Sequence, residues 1–138
     1  MASRGNIRAM VLNDVESYNH AISAPLKQVV QELIDVLGPT LVATIGGVNE
    51  TRAVMQWLKG RKPQRPHVLR FGLQLARMIS GKDDVMVIRA WFQGSNPCLN
   101  DRSPALLLRS QPLEEIQGPL MAAARSFALR NDEQITPP

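Results

Sequence analysis

The feature that most limits what this chain can become is its punctuation. Apolar residues recur at helical spacing, and each run is closed within a few turns by Gly, by Pro, or by an Asn-Pro or Ser-Pro pair. In "PLKQVVQELIDVLG" the side chains of Leu26, Val29, Val30, Leu33, Ile34 and Leu37 share one helical face, Pro25 suits a first turn, and Gly38 suits the stop. Apolar residues make up 44% of the 138 and aromatics only 4%, so Leu, Val, Ile, Met and Ala must fill the core, which favours helices over sheets. The expected fold is all-α.

The same reasoning runs down the chain. Thr40 is placed to cap a short helix, "TLVATI", that ends at Gly46-Gly47, and Asn49 is placed to cap "ETRAVMQWLK", whose Val54, Trp57 and Leu58 form a narrow apolar stripe. The basic loop "RKPQRP" leads into a helix with Val68, Leu69, Phe71, Leu73, Leu75, Ala76 and Ile79 inward, broken at Ser80-Gly81. Val85, Ile88, Trp91 and Phe92 share a face of the next helix, and Gly94 ends it. Ser103-Pro104 opens another, "PALLLR". Pro119 predicts a break between one turn at 112–117 and a last helix at 119–130. Residues 1–24 read as a flexible arm with room for one short turn of helix around Met10 to Tyr18, 25–80 as a helix-turn-helix unit, 81–130 as a C-terminal helical domain, and 131–138 as a disordered tail.

Net charge is +4, but its placement says more. From Glu50 to Arg70 there are six basic residues (Arg52, Lys59, Arg61, Lys62, Arg65, Arg70) and one acid. A short helix, a glycine turn and a second helix with a polar outer face form the arrangement whose second member lies in the DNA major groove. Arg52 and Gln56, four apart, carry paired donors that match guanine and adenine edges, whereas Asn49, Thr51, Lys59, Arg61 and Lys62 suit phosphate. The basic cluster strengthens that reading.

The second concentration of chemistry is "AWFQGSNPCLNDRSPALLL". Trp91, Phe92, Leu99 and the leucines after Pro104 surround a loop of donors and acceptors (Asn96, Asn100, Asp101, Arg102, Ser103), as the centre and rim of a protein interface would. A core role is expected for Trp91 and Leu107, and an interaction surface for the rest.

Together, "LGPTLVATIGGVNETRAVMQWLKG" and "RAWFQGSNPCLNDRSPALLLRS" resemble the Xre-type antitoxins of the MbcA/ParS group, partners of RES-domain toxins, over about residues 26–128. The aromatic pair, the Asn-Pro turn, the following Leu and the Ser-Pro-Ala-Leu-Leu helix start are its specific part. The resemblance implies an Xre-like N-terminal unit and a C-terminal domain that occludes the active site of an NAD-consuming toxin. Toxin contacts are then expected from Trp91, Phe92, Asn96, Leu99, Asp101, Arg102 and Arg109, with operator DNA as a second partner and an oligomeric assembly, either with itself or with the toxin. The competing expectations are a stand-alone DNA-binding regulator whose C-terminal half only dimerises, and a plain helical adaptor.

Other chemistries find little support. His20 and His67 are far apart, and with one Cys they offer no metal-ligand spacing. Asp83/Asp84 and Glu114/Glu115 sit near helix starts, where acids favour the dipole, and no nucleophile, base and orienter can be recognised. "IGGVNE" lacks the lysine and spacing of a phosphate loop. No catalytic residue, metal or cofactor is expected. Cys98 is expected to be a half-buried thiol, and the lack of a secretory or membrane-length apolar run points to the cytoplasm.

Overall fold

The first helices follow one another with little more than their caps between them, whereas longer loops run over 59–65 and 94–103. The computed structural model describes residues 15–80 and 84–135, apart from the side chains of Ser80 and residues 131–135. In chain order, α1 covers residues 15–23, α2 Leu26–Leu37, α3 Pro39–Gly46, α4 Thr51–Leu58 and α5 Pro66–Ser80. After these come α6 at Val85–Gln93, a 3₁₀ turn at Pro97–Leu99, α7 at Pro104–Ser110 and α8 at Leu113–Ile135. No strand occurs among the described residues, and the fold is all-α.

The centre of the molecule is α5. Its Val68, Leu69, Phe71, Leu73, Leu75, Ala76, Met78 and Ile79 are buried and point to more than one side, as befits a helix enclosed by others. It packs between α2 and α8, and α3 lies across it with Ile45 over Gly72. From α2 come Val29, Val30, Leu33 and Leu37, each worth about 1.5–3 kcal/mol of burial. One contiguous apolar core runs from Ala24 to Ala124 and takes in Ile88, Trp91, Phe92, Leu108 and Leu120.

Arginines close the helix ends. The last carbonyls of an α-helix have no partner within it and carry partial negative charge, so a guanidinium satisfies both needs. Arg70 Nη1 donates to Ala21 O at 3.0 Å, in the last turn of α1, and to Ala24 O at 2.7 Å, just past its end. Arg89 Nε donates to Val36 O at 2.9 Å, at the end of α2. Arg109 reaches the end of α3, and Arg65 Nη1 donates at 2.8 Å to Arg109 O near the end of α7. Each clamp joins segments far apart in sequence.

Several expectations change here. The arm expected over 1–24 is helical over 15–23, held by the Arg70 clamp, by buried Ser17 and Ala21, and by His20; residues 1–14 lie outside the described residues. His20 Nε2 meets Glu32 Oε1 at 2.7 Å, and Arg77 Nη1 donates to Glu32 Oε2 at 2.9 Å. Burial alone would raise the Glu32 carboxyl, but the hydrogen bonds and charges of His20 and Arg77 outweigh it and hold the group below its ordinary value.

The break at Pro119 does not occur, and α8 runs through it to Ile135, five residues into the expected tail; residues 136–138 lie outside the described residues. Ile116, Leu120, Ala123 and Ala124 anchor that helix on both sides of an exposed proline, so tertiary packing outweighs one lost backbone bond. Thr40 is not a cap: Gly38 occupies the N-cap, Pro39 the first turn, and Thr44 Oγ1 donates to Thr40 O. Residue 81 of the expected Ser80-Gly81 break lies outside the described residues, whereas Asp84 caps α6 by accepting from Met86 N.

Candidate nucleic-acid interface and partner surface

The Gly-Gly pair between α3 and α4 does two different jobs. Gly47 has φ 80°, the left-handed conformation that ends a helix, and its N–H meets Ala43 O and Thr44 O. Gly46 is required by what lies on it: a Cβ there would stand 2.5 Å from Trp57 Cη2. The ring of Trp57 therefore lies close against α3, and with buried Val54 it fixes one side of α4 to the core.

The other side of α4 faces outward. Thr51, Arg52, Met55 and Lys59 are exposed, as are Asn49 before the helix and Arg61 and Lys62 after it. Gln56 is half-buried and accepts a hydrogen bond from Arg61 Nη1 at 2.9 Å. Among the described residues no acid pairs with Arg52, Lys59, Arg61 or Lys62. All seven residues expected to face DNA thus lie on one continuous stretch around α4. The basic cluster is smaller than its sequence count, because Arg65 and Arg70 turn inward to clamp carbonyls.

Asn49 departs from expectation. Glu50, not Asn49, stands at the N-cap of α4, and no side chain bonds there. Asn49 Oδ1 instead accepts from Arg109 Nη2 at 2.8 Å, while Arg109 Nη1 donates to Val48 O at 3.0 Å, Thr44 O at 3.1 Å and Ala43 O at 3.4 Å. A side chain expected at a toxin surface is therefore occupied inside the chain, holding the α3–α4 turn. Sequence spacing carries no signal for a contact between residues 60 apart.

The loop after α6 also rearranges the expected partner surface. Phe92 is 0% exposed, Leu99 6%, Trp91 7% and Asn96 8%, so these four lie within the core or the loop's own framework and are not free apolar surface. Trp91 meets Phe92 edge-on at 5.1 Å between ring centroids and leans on Phe127 at 6.4 Å. Its Nε1 is buried without a hydrogen-bond partner. Asn96 organises the turn: Oδ1 accepts from Cys98 N, its backbone N–H donates to Arg102 O, and its carbonyl accepts from Leu99 N and Asp101 N. Asn100 and Asp101 adopt left-handed φ of 55° and 62°, which these two residue types tolerate best after glycine. Ser103 Oγ accepts from Leu106 N and caps α7.

What remains outside is Asp101 and Arg102, both exposed, lining an open groove of about 550 Å³ with Gln93, Ser95, Leu106 and Ser110. Leu106 is 58% exposed, and Met86 on the neighbouring face of α6 is 63% exposed, while Val85, expected inward, is also exposed. Cys98 is exposed rather than half-buried, because Leu99 takes the inward position of the 3₁₀ turn. Among the described residues no three His, Cys, Asp or Glu side chains gather to hold a metal ion, and no helix is long and apolar enough to cross a membrane. No protein-family model matches the chain, and comparison with curated proteins and with solved structures returns no match.

Proposed function

We propose that this protein is a cytoplasmic antitoxin of the RES–Xre kind, in which α3, the Gly46-Gly47 turn and α4 form an Xre-like helix-turn-helix that binds operator DNA. In the same reading, residues 81–130 dock on a RES-domain toxin and occlude its NAD-consuming site. The observation that carries the DNA half is the outer face of α4. Arg52 on that face, and Lys59, Arg61 and Lys62 directly after the helix, are exposed without acidic partners among the described residues, and α4 is fixed from behind by Trp57 and Val54. Such a face suits phosphate contacts around Arg52 and Gln56, the candidate base readers.

The toxin half draws on the resemblance and on the exposed rim. Asp101, Arg102 and Leu106 are the side chains this reading assigns to the toxin, with Trp91, Phe92, Asn96 and Leu99 holding the loop in shape behind them. The test has two arms. Duplex DNA from immediately upstream of the gene should bind with a log–log salt slope that rises by about 0.9 for each phosphate neutralised. Co-expression should rescue cells from a RES-domain toxin, and Arg102→Glu with Asp101→Lys should abolish rescue while the helical circular dichroism persists.

The burial of Trp91, Phe92 and Leu99 favours a second reading, a stand-alone DNA-binding regulator. That reading gains if DNA binds with site preference while the wild-type chain neither rescues growth nor co-purifies with the toxin.

A further inference from the structure

Arg109 belongs to α7, yet its guanidinium spends its donors on the turn that leads into α4. Guanidinium nitrogens only donate, so the oxygen of the Asn49 amide must face Arg109 and the NH₂ group is the end left free of it. Asn49 is exposed, and its Nδ2 has no acceptor among the described residues. Anchoring the turn needs only the carbonyls of Ala43, Thr44 and Val48. The additional bond to Asn49 fixes the rotation of a surface side chain, which a turn anchor does not require.

We propose that Arg109 is a positioning residue for DNA binding: it orients Asn49 so that the amide NH₂ group is turned outward to donate to a backbone phosphate beside the entrance to α4. This rests on the reading of α3–α4 as the DNA-contacting pair. The positive charge behind the amide polarises it and makes it a stronger donor to an anion than a freely rotating asparagine. Holding one rotamer in advance also removes the ordering cost that a free side chain bears on binding. Through Arg109, α7 and the groove beside it are mechanically joined to the DNA-facing turn.

The test is a double-mutant cycle on the full chain, with Asn49→Ala and Arg109→Lys made singly and together. Binding is read by fluorescence anisotropy on the duplex from immediately upstream of the gene, with a scrambled duplex as control and thermal unfolding recorded for each variant. Asn49→Ala should weaken binding roughly tenfold, the scale of one hydrogen bond to a charged group, with little change in unfolding temperature. Lysine keeps the charge but loses the planar fork, so Arg109→Lys should weaken binding to a similar degree. The double variant should then bind within about twofold of Asn49→Ala alone, because the two residues act through one contact. Losses that multiply would assign Arg109 to turn stability and overturn the inference, as would an Asn49→Ala variant that binds like wild type. If the wild-type chain itself ignores both duplexes at low salt, the DNA reading fails first and this inference fails with it.

Discussion

Two turns organise this molecule, and they are held in opposite ways. The loop from Gly94 to Ser103 supplies its own partners. Asn96 bonds to residues of the same loop, Asn100 and Asp101 take the left-handed positions, and Ser103 caps α7. The α3–α4 turn closes its own backbone through the N–H groups of Gly47 and Val48, but takes its side-chain fastening from Arg109 on α7. Consequently the first turn seals Trp91 and Phe92 behind it, whereas the second leaves its own polar side chains outward. The self-sufficient loop thus seals the core while keeping Asp101 and Arg102 outside, and the borrowed turn presents Asn49.

That contrast can be broken experimentally, first at its largest expected effect. Phe92→Ala should cost about 3–5 kcal/mol, since the ring is fully enclosed and braced by Trp91. Urea unfolding would show this as a midpoint shift at unchanged slope, and a loss below about 1 kcal/mol would mean the loop does not seal the core. Next comes Arg109→Ala, which strips the turn of a charged donor and should cost roughly 2–3 kcal/mol. If it unfolded like wild type, the turn would be as self-sufficient as the loop.

Ser103→Ala removes one cap and should cost about 1 kcal/mol in the same urea titration, a modest loss because Pro104 still presets the first turn. The smallest effect concerns α1. Glu32 has a folded pKa below its unfolded one, so its contribution is complete above the unfolded value and drains away as pH falls through the folded value. Wild type should therefore lose stability on acidification below the ordinary glutamate range more steeply than Glu32→Gln. Parallel acid limbs for the two proteins would remove the His20–Glu32–Arg77 group from the account of how α1 is held.

The same contrast explains which features are legible in the sequence. Gly38-Pro39, Gly46-Gly47, Asn96-Pro97 and Ser103-Pro104 encode their turns through backbone preferences of adjacent residues, so the short helices and the outward face of α4 can be read in order. Asn49 reads wrongly as a cap for the converse reason: its partner lies 60 residues away and leaves no periodic trace. Pro119 misleads because local preference favours a break, whereas Ile116 and Leu120 are pinned to α5 and its neighbours on both sides of it. The exposed basic residues around α4 can be found by charge and spacing. Of the seven candidate partner residues, only Asp101 and Arg102 stay exposed and unclaimed, because apolar mass beside a polar loop does not reveal which way the loop will fold over it.

The arginine clamps also bear on how the chain is made. Arg89 closes α2 at a carbonyl 53 positions earlier in the chain, and Arg109 closes α3 at one 65 positions earlier, so during synthesis the ends of α2 and α3 emerge from the ribosome with no guanidinium to receive them. Those carbonyls gain their guanidinium donors only once α6 and α7 have been made. A fragment cut after α5 would carry the exposed basic stretch from Asn49 to Lys62 and lack the Arg109 fastening of the turn before it.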